Sequence, residues 1–375
     1  MAILYLTEQQ AWVGREGECL VVHIPDPNTP EGTGKRREHK KLIPLFKIEE
    51  VIVLGDITLT TPALASLLAA QISITYLSKH ARYLGNLSPA LTKNSLLRLA
   101  QHTHHANPMQ RHALARRFVL GKLRNMKTLL MRYQRSQPEL ALAAPIESLK
   151  HCLQVVENMS DEEITASMCV EAEKSVHVEE DITHLSSSRM NGLGSLLGSE
   201  GAGSAAYFGV FSQLIKCDWP HGFVKRTRRP PADPVNAMLS YGYVILTSQI
   251  TSILASVGFD PYIGYLHSSR YGKPALALDL LEEFRPVIVD SVVLNLLNNR
   301  QLGPGDFRQE LNSYHMTDVT KRLFLQKFEE RLQETITHPV FGYKVSYRRC
   351  IELQGRLLGK YLTEETQTYI PFAVR

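Results

Sequence analysis

The sequence predicts an α+β fold, in which a small β-rich domain, residues 1–88, precedes a larger all-α domain, residues 89–375. Before residue 88, short apolar segments alternate with turns that contain Gly or Pro, a pattern typical of β-strands. From Leu91 onward, apolar side chains recur at helical spacing and few strand signals follow. A chain of 375 residues is also longer than most single-core domains, which favours two domains.

The first domain shows strand patterns separated by turn residues. Strands are predicted over residues 3–6, 12–13, 20–22, 42–46, 51–54 and 72–77. The Gly-containing turn at 14–17 joins the second and third of these in a hairpin. Thr60 and Pro62 resemble a helix cap and an early-helix proline, and predict a short helix through Ala70. The polar segment 25–41 is interpreted as a mobile loop.

The second domain shows helical periodicity interrupted by Pro and Gly. A long amphipathic helix with basic residues outside is expected over residues 114–130. Asp233 and Pro234 predict the start of another helix, and Gly258 predicts its end. Residues 186–203 are rich in Ser and Gly and are interpreted as a flexible loop that leads into a helix. Such a loop can admit a phosphate to a helix N-terminus, or it can be a plain linker.

The composition is that of a folded protein, with 44% hydrophobic and 21% charged residues. No apolar run reaches the roughly 20 residues that span a bilayer. The N-terminus lacks the basic start and long apolar core of a secretory signal. The five cysteines are scattered and form no CxxC pair, so we interpret them as reduced thiols. A cytoplasmic protein with no membrane partner is therefore expected.

The distribution of charge indicates a polyanionic partner more strongly than the net charge of +5 does. Clustered basic residues are the usual contacts of a phosphate backbone. Such a cluster occurs in VKRTRRPP, and it consists of Lys225, Arg226, Arg228 and Arg229. Two further cations, Arg270 and Lys273, lie shortly after His267 and are also interpreted as phosphate binders.

The segment GYLHSSRYGKPALALDLLEEFR carries one histidine and two acids of interest. Asp279 and Glu282 are three residues apart, so they share a helix face, and His267 precedes them. A histidine and two acids that lie close together are suitable ligands for a divalent metal. From the residues alone, an ion pair from either acid to Arg285 accounts for them as well as a metal does.

Glu200 is a third candidate acid, at the predicted start of the helix that follows the Gly-rich segment. Taken alone, it is more simply explained as a first-turn glutamate that interacts with the helix dipole. Combined with His267 and the two acids near it, Glu200 suits Mn²⁺ or Mg²⁺, because hard cations prefer oxygen and Mn²⁺ also accepts imidazole. Three protein ligands would leave positions open for a phosphate oxygen and a nucleophile.

Four motifs occur in a fixed order along the chain. They are GSEGAGSAAYF at 198–208, RRPPADPVNAMLSYGY at 228–243, GYLH at 264–267 and LALDLLEEFRP at 276–286. In content, order and spacing they resemble the CRISPR-associated integrase, the catalytic subunit of the spacer-acquisition complex (the CRISPR-associated protein one family). The resemblance covers essentially the whole chain, including the β-rich part followed by a helical part.

This resemblance implies that the catalytic residues are Glu200, His267, Asp279 and Glu282. Three of them, Glu200, His267 and Glu282, would be the ligands of Mg²⁺ or Mn²⁺, and Asp279 would be the neighbouring acid that supports the site. The family pattern also implies supporting or DNA-facing roles for a further set of motif residues. These are Tyr207, Asn236, Tyr243 and Arg285.

The resemblance further implies a metal-dependent DNA endonuclease and integrase, in which a DNA 3′-hydroxyl attacks a phosphodiester at the repeat boundary of a CRISPR array. The partners would be double-stranded DNA, a second copy of this chain paired through the β-rich domain, and the small CRISPR-associated adaptation subunit. Two alternatives stay open, namely a catalytically silent DNA-binding scaffold and a hydrolytic nuclease that acts on branched DNA.

Overall fold

The chain separates into two compact units, Met1–Thr92 and Lys93–Arg375. The computed structural model describes residues 2–25, 38–79, 81–89, 94–159, 191–216, 222–227, 230–268 and 270–374. The first unit is rich in strands and the second is largely helical. The predicted order of a strand-rich part followed by a helical part is therefore confirmed.

The first unit consists mainly of two four-stranded sheets. Its strands are β1 Ala2–Leu6, β2 Trp12–Glu16, β3 Cys19–Pro25, β4 Glu38–Pro44, β5 Ile48–Leu54, β6 Thr58–Leu59, β7 Ser73–Leu77 and β8 Tyr83–Leu87. The sheets have the strand orders β1-β5-β7-β8 and β4-β3-β2-β6. Strands β2 and β3 pair antiparallel, which confirms the predicted hairpin. Helix α1, Thr61–Ala69, begins after the Thr60 cap as predicted.

Apolar side chains from both sheets and from α1 form one core, which includes Val13, Leu20, Val53 and Leu67. The prediction of a mobile loop over 25–41 is wrong for the last residues of that segment, because β4 begins at Glu38. Strand β4 pairs along the whole length of β3. The hydrogen bonds between the two strands satisfy backbone N–H and C=O groups that would bond to water in a loop. The middle of that segment lies outside the described residues.

The second unit consists mainly of helices. They are α2 Ser95–Ala106, α3 Pro108–Ser136, α4 Ala143–Asn158, α5 Asn191–Gly209, α6 Pro234–Val257, α7 Ala275–Phe284, α8 Ser291–Asn298, α9 Asp318–Gln333 and α10 Tyr347–Leu362. A π-helical turn, Pro286–Asp290, joins α7 to α8. Helix α6 is long and apolar enough to cross a bilayer by length and composition, but 72% of that apolar window is buried inside the protein.

Helix α6 begins and ends where the sequence predicts. The Asp233 carboxylate accepts a hydrogen bond of 2.8 Å from the backbone N–H of Asn236, which caps the first turn. Gly258 ends the helix in the left-handed region, with φ of 117°.

The expectation of an all-α second domain is wrong at two places. Strands β9, Phe307–Glu310, and β10, Ser313–Met316, form one antiparallel hairpin. Strands β11, Thr335–Thr337, and β12, Lys344–Ser346, form another. Strands of three or four residues are too short to show a clear alternation of polar and apolar side chains, so sequence periodicity could not reveal them.

The interpretation of residues 186–203 as a flexible loop is wrong from Asn191 onward, where α5 begins. Leu196 is completely buried. Gly203 packs against α3 so closely that a Cβ atom there would lie 2.3 Å from Cδ2 of Leu123. The small residue therefore serves close helix packing rather than chain flexibility. The first five residues of the segment lie outside the described residues.

Candidate functional site

Helix α7 carries three buried acids that face different partners. Asp279 and Glu283 are completely buried, and Glu282 is 3% exposed. Buried carboxylates are costly unless they are hydrogen-bonded or paired with a cation. Asp279 contacts the segment that carries His267, Glu282 faces two cations, and Glu283 contacts the C-terminal segment.

Asp279 holds the backbone that presents His267. Its carboxylate accepts hydrogen bonds from the backbone N–H groups of Tyr265, Leu266 and His267 at 2.5, 3.0 and 2.9 Å. Gly264 permits this close approach, because a Cβ atom there would lie 2.7 Å from Oδ2 of Asp279. The loop and the helix are thus fixed to each other through one carboxylate.

The same carboxylate orients the imidazole ring of His267. Oδ1 of Asp279 lies 2.7 Å from Nδ1 of the ring. The other ring nitrogen, Nε2, faces Glu282, 3.8 Å from its Oε1. A carboxylate on one ring nitrogen is the usual way to keep the other nitrogen available to a metal. The sequence left two explanations open for Asp279, a metal site and an ion pair with Arg285. Among the described contacts, the structure shows no ion pair between Asp279 and Arg285.

The ammonium group of Lys122 lies between two candidate ligands. From α3 it contacts Oε1 of Glu200, and it lies 2.8 Å from Oε2 of Glu282. The side chains of Lys122 and Glu282 are each only 4% exposed. Glu200 lies in the middle of α5 rather than in a first turn, so the helix-dipole explanation for it is wrong. Ser204 also donates a hydrogen bond of 3.0 Å to Glu200.

The expectation that the basic residues of this helix lie outside is wrong for Lys122, which is 3% exposed, although the sequence carried a signal for its burial. Leu114 and Phe118 are both buried, and Lys122 continues the same stripe at spacings of four residues. A lysine on the apolar face of an amphipathic helix requires a buried anion as a partner.

Arg285 is the second cation at Glu282. Its Nη1 lies 3.1 Å from Oε1 of Glu282, so the predicted ion-pair alternative is realised for this acid. Burial alone would raise the pKa of Glu282, but Arg285, Lys122 and His267 together lower it to about 2. Glu282 is therefore ionised at neutral pH and paired with these cations.

In the part of the chain that the structure describes, no three His, Cys, Asp or Glu side chains form a group that could hold a metal ion. Glu200 and Glu282 instead meet at the ammonium of Lys122, with His267 beside Glu282. The chemistry of these donors fits Mg²⁺ or Mn²⁺, since two carboxylates and one imidazole nitrogen are suitable ligands and the carboxylates already face a shared cation.

A second polar group lies beside this cluster and centres on Asp290, which the sequence did not indicate. Its carboxylate accepts hydrogen bonds from the hydroxyls of Tyr207 at 2.8 Å and Tyr243 at 2.6 Å. Burial raises the pKa of Asp290 to about 6 in spite of these hydrogen bonds. The ring of Tyr243 is contacted by the guanidinium groups of Arg285 and Arg226, at 4.6 and 5.4 Å from its centroid.

Asn236 fixes a basic segment against α6. Arg226 donates hydrogen bonds to Oδ1 of Asn236 at 2.7 Å and to Oγ of Ser240 at 3.0 Å. Oδ1 of Asn236 also accepts from the backbone N–H of Thr227 at 2.9 Å. Its amide group donates to the backbone carbonyl of Lys225 at 2.9 Å. The helical spacing of Asn236 and Ser240 thus creates a platform for Arg226.

A cavity of about 460 Å³ opens beside Glu200. Its cationic lining consists of Lys122, Lys225, Arg226 and Arg285. Its apolar and aromatic lining includes Met126, Ala205, Phe208, Val224 and Tyr243. Cations combined with aromatic faces suit the phosphate and the base of a nucleotide.

The other predicted DNA-binding residues are distributed differently. Arg228 and Arg229 lie outside the described residues. Arg270 and Lys273 lie in a turn that is closed by a 3.0 Å hydrogen bond from the backbone N–H of Lys273 to the carbonyl of Arg270. Neither of these two residues lines the cavity.

Acids, a histidine and cations that meet beside a basic cavity are typical of proteins that act on nucleic-acid phosphates. The family model described as "CRISPR associated protein Cas1" matches residues 4–330. The chain therefore belongs to the Cas1 family, which confirms the resemblance found in its motifs.

Curated relatives and solved structures agree with this assignment. The CRISPR-associated endonuclease Cas1 3 of Thermus thermophilus is 36% identical over 379 residues, which cover 100% of this chain and 98% of that protein. The CRISPR-associated exonuclease Cas4/endonuclease Cas1 fusion of Geobacter sulfurreducens is also 36% identical, over 376 residues. That match covers 99% of this chain but only 60% of the fusion.

Two solved structures share the fold. A casposase bound to an integration product has a TM-score of 0.76 at 22% identity, covering 98% of this chain and 92% of the casposase. A Cas6-RT-Cas1–Cas2 complex has a TM-score of 0.71 at 24% identity, covering 99% of this chain and 36% of the matched chain. At these identities the likeness shows the fold alone.

Proposed function

We propose that this chain is a metal-dependent DNA endonuclease and integrase that inserts short duplex spacers into a CRISPR array. The observation that carries the proposal is the convergence of Glu200 and Glu282 on one cation, with Nε2 of His267 facing Glu282. Membership of the Cas1 family and relatives named as endonucleases support the nuclease class.

In this proposal Glu200, His267 and Glu282 would hold Mg²⁺ or Mn²⁺, which would supply polarisation of a phosphodiester and neutralisation of charge at phosphorus. Asp279 keeps the proton of the imidazole on Nδ1, so that Nε2 carries a lone pair. Arg285 stays beside Glu282 and adds positive charge where negative charge accumulates in the reaction.

The nucleophile in this proposal is a DNA 3′-hydroxyl. One phosphorus–oxygen bond forms to that hydroxyl oxygen while another breaks in the array strand, so the number of phosphodiesters is unchanged and no external energy source is needed. The chain's own task is then to bind and orient two DNA segments. Basic side chains do this by contacting phosphates. We assign this role to Lys225, Arg226, Arg228, Arg229, Arg270 and Lys273.

The supporting residues have structural reasons for their assignment. Tyr207 and Tyr243 both donate to Asp290, and Tyr243 also lies against Arg285. Asn236 secures the segment that carries two of the basic side chains. These residues thus keep the walls of the cavity in place next to the reacting groups.

The partners in this proposal are duplex DNA, a second copy of the chain and the small CRISPR-associated adaptation subunit. The casposase neighbour is bound to an integration product and another neighbour is a Cas6-RT-Cas1–Cas2 complex, which supports DNA and a Cas partner. Leu42 and Phe46 of the first unit are 58% and 73% exposed, which suits a dimer formed there. A cytoplasmic location is part of the proposal.

The test mixes the protein, the small partner subunit, a short duplex, Mn²⁺ and a supercoiled plasmid that carries a CRISPR array. We expect native protein to join the duplex to the plasmid, and Glu200→Ala and His267→Ala to lose joining while still binding DNA. Glu157→Ala is the matched control, since Glu157 is 46% exposed and pairs with Arg124 away from the cluster.

Each result of this assay has a distinct meaning. Joining at native rates by both site variants would refute the assignment of the site. Cutting of the plasmid without joining would assign a hydrolytic nuclease instead. Binding without cutting or joining by native protein would assign a silent DNA-binding scaffold.

A further inference from the structure

We infer that Lys122 is a resident counter-cation of the acidic cluster, which holds Glu200 and Glu282 together in the metal-free protein and competes with a divalent ion for them. This inference rests on the metal site of the proposed function. It concerns a residue that lies outside the four motifs through which the family resemblance was established.

The geometry places one ammonium group between carboxylates from two helices. Nζ of Lys122 contacts Oε1 of Glu200 on α5 and lies 2.8 Å from Oε2 of Glu282 on α7. Both Lys122 and Glu282 are almost completely withdrawn from water. Two ionised carboxylates in such surroundings repel each other unless a cation separates them.

The lone pairs of Glu200 and Glu282 that face Nζ of Lys122 cannot serve the ammonium and a metal at once. Oxygen ligands approach Mg²⁺ to about 2 Å, so a metal shared by Glu200 and Glu282 would lie in the space that Nζ of Lys122 now fills. Two positive charges at that distance also repel strongly in a buried site. A metal shared by the two carboxylates at this position therefore displaces the ammonium.

The structure provides a place for the displaced side chain. Lys122 is one of the residues that line the cavity of about 460 Å³ beside Glu200. Its four-carbon chain is flexible, so rotation about the side-chain bonds can carry Nζ toward that space. There it would add to the positive lining already formed by Lys225 and Arg226.

The decisive measurement is Mn²⁺ affinity without DNA, by isothermal titration calorimetry, combined with the melting temperature with and without Mn²⁺. In Lys122→Met the competing cation is gone. We expect its Kd for Mn²⁺ to be lower by about tenfold or more, because the metal no longer has to displace charge-assisted hydrogen bonds. The metal-free variant should melt at a lower temperature than native protein, and Mn²⁺ should raise that temperature further than it does in native protein.

Three further variants make the test specific. Lys122→Arg retains the positive charge and should bind Mn²⁺ no more tightly than native protein. Lys127→Met removes the same charge from a half-buried position on the same helix and should match the native Kd. If Lys122→Met does not fold, Lys122→Gln serves in its place, because its neutral amide can still donate a hydrogen bond to one carboxylate.

The outcomes separate the inference from the proposed function. Tighter Mn²⁺ binding by Lys122→Met or Lys122→Gln, but not by Lys127→Met, supports the inference. Equal or weaker binding by the neutral variants at position 122 overturns it and leaves the metal site of the proposed function intact. Absence of Mn²⁺ binding in native protein and in every variant overturns that metal site, and the inference with it.

Discussion

Glu283 is a buried carboxyl group whose protonation should govern how the stability of the helical unit depends on pH. It accepts hydrogen bonds from the Tyr369 hydroxyl at 2.7 Å, the Gln354 amide at 3.1 Å and the Phe372 backbone N–H at 2.7 Å. All three donors are neutral. Burial raises the pKa of Glu283 to about 8 in spite of these hydrogen bonds.

The sign of the effect follows from where the proton is bound. A glutamate exposed by unfolding titrates near 4.5, whereas Glu283 in the folded protein titrates near 8. Between these values the folded state holds a proton that the unfolded state has released, so stability is greatest below the lower value and is lost as pH rises toward the higher one. The slope is about 1.4 kcal/mol per pH unit, and the full loss is on the order of 5 kcal/mol.

The variant Glu283→Gln imitates the protonated acid at every pH. Its amide oxygen can accept from Gln354 and Phe372, while its amide N–H can donate to the Tyr369 hydroxyl. The free energy of unfolding of this variant, minus that of native protein, should therefore rise by about 1.4 kcal/mol per pH unit between about pH 5 and pH 8. Taking the difference cancels the contributions of groups that titrate equally in both proteins.

The assay is urea unfolding followed by far-ultraviolet circular dichroism at several pH values across that range. Glu157→Gln is the control, because Glu157 is an exposed partner of Arg124 and its difference from native protein should stay flat. A flat difference for Glu283→Gln as well would refute the reasoning, because it would mean that Glu283 is already ionised in the folded protein at low pH.

Three other substitutions test single features of the site. Asp279→Ala leaves three backbone N–H groups without this acceptor, two of them buried, and should lower the free energy of unfolding by about 4 kcal/mol in urea; a loss below about 1 kcal/mol would contradict this. Gly264→Ala forces a Cβ atom against the backbone of Ala275 and should cost about 2 kcal/mol in the same measurement, so unchanged stability would count against the close approach. Asn236→Ala releases the segment that carries Arg226 and should weaken binding of a short duplex several-fold by fluorescence anisotropy, with the Mn²⁺ Kd unchanged; equal DNA affinity would argue against this role.

Features that depend on a few neighbouring residues were predictable from the sequence. The start of α6 at Asp233 and its end at Gly258 were correct, because capping and a left-handed glycine are local properties. The prediction of a loop in the Gly-rich segment was wrong because the structure there depends on residues that are distant in sequence. Gly203 reflects the proximity of Leu123, which is distant in sequence, and composition cannot distinguish a glycine needed for packing from one in a loop.

The functional site also combines features that depend on neighbouring residues with features that depend on residues distant in sequence. Glu282 and Glu283 are adjacent, yet one faces the cations and the other faces the C-terminal segment, because each residue turns the helix by about 100°. The partnership of Lys122 with Glu200 spans 78 residues. No spacing rule connects such positions, so the helical stripe could mark Lys122 as a buried cation but could not identify Glu200 and Glu282 as its partners.

The position of Tyr243 makes it a natural spectroscopic reporter. Its ring touches Arg226, which lines the cavity, and Arg285, which pairs with Glu282. A fluorine atom placed on this ring would sense movement of either guanidinium group as a change in its NMR resonance. Entry of a polyanion into the cavity and arrival of a cation at Glu282 could then be followed in one spectrum, without any chemical reaction taking place.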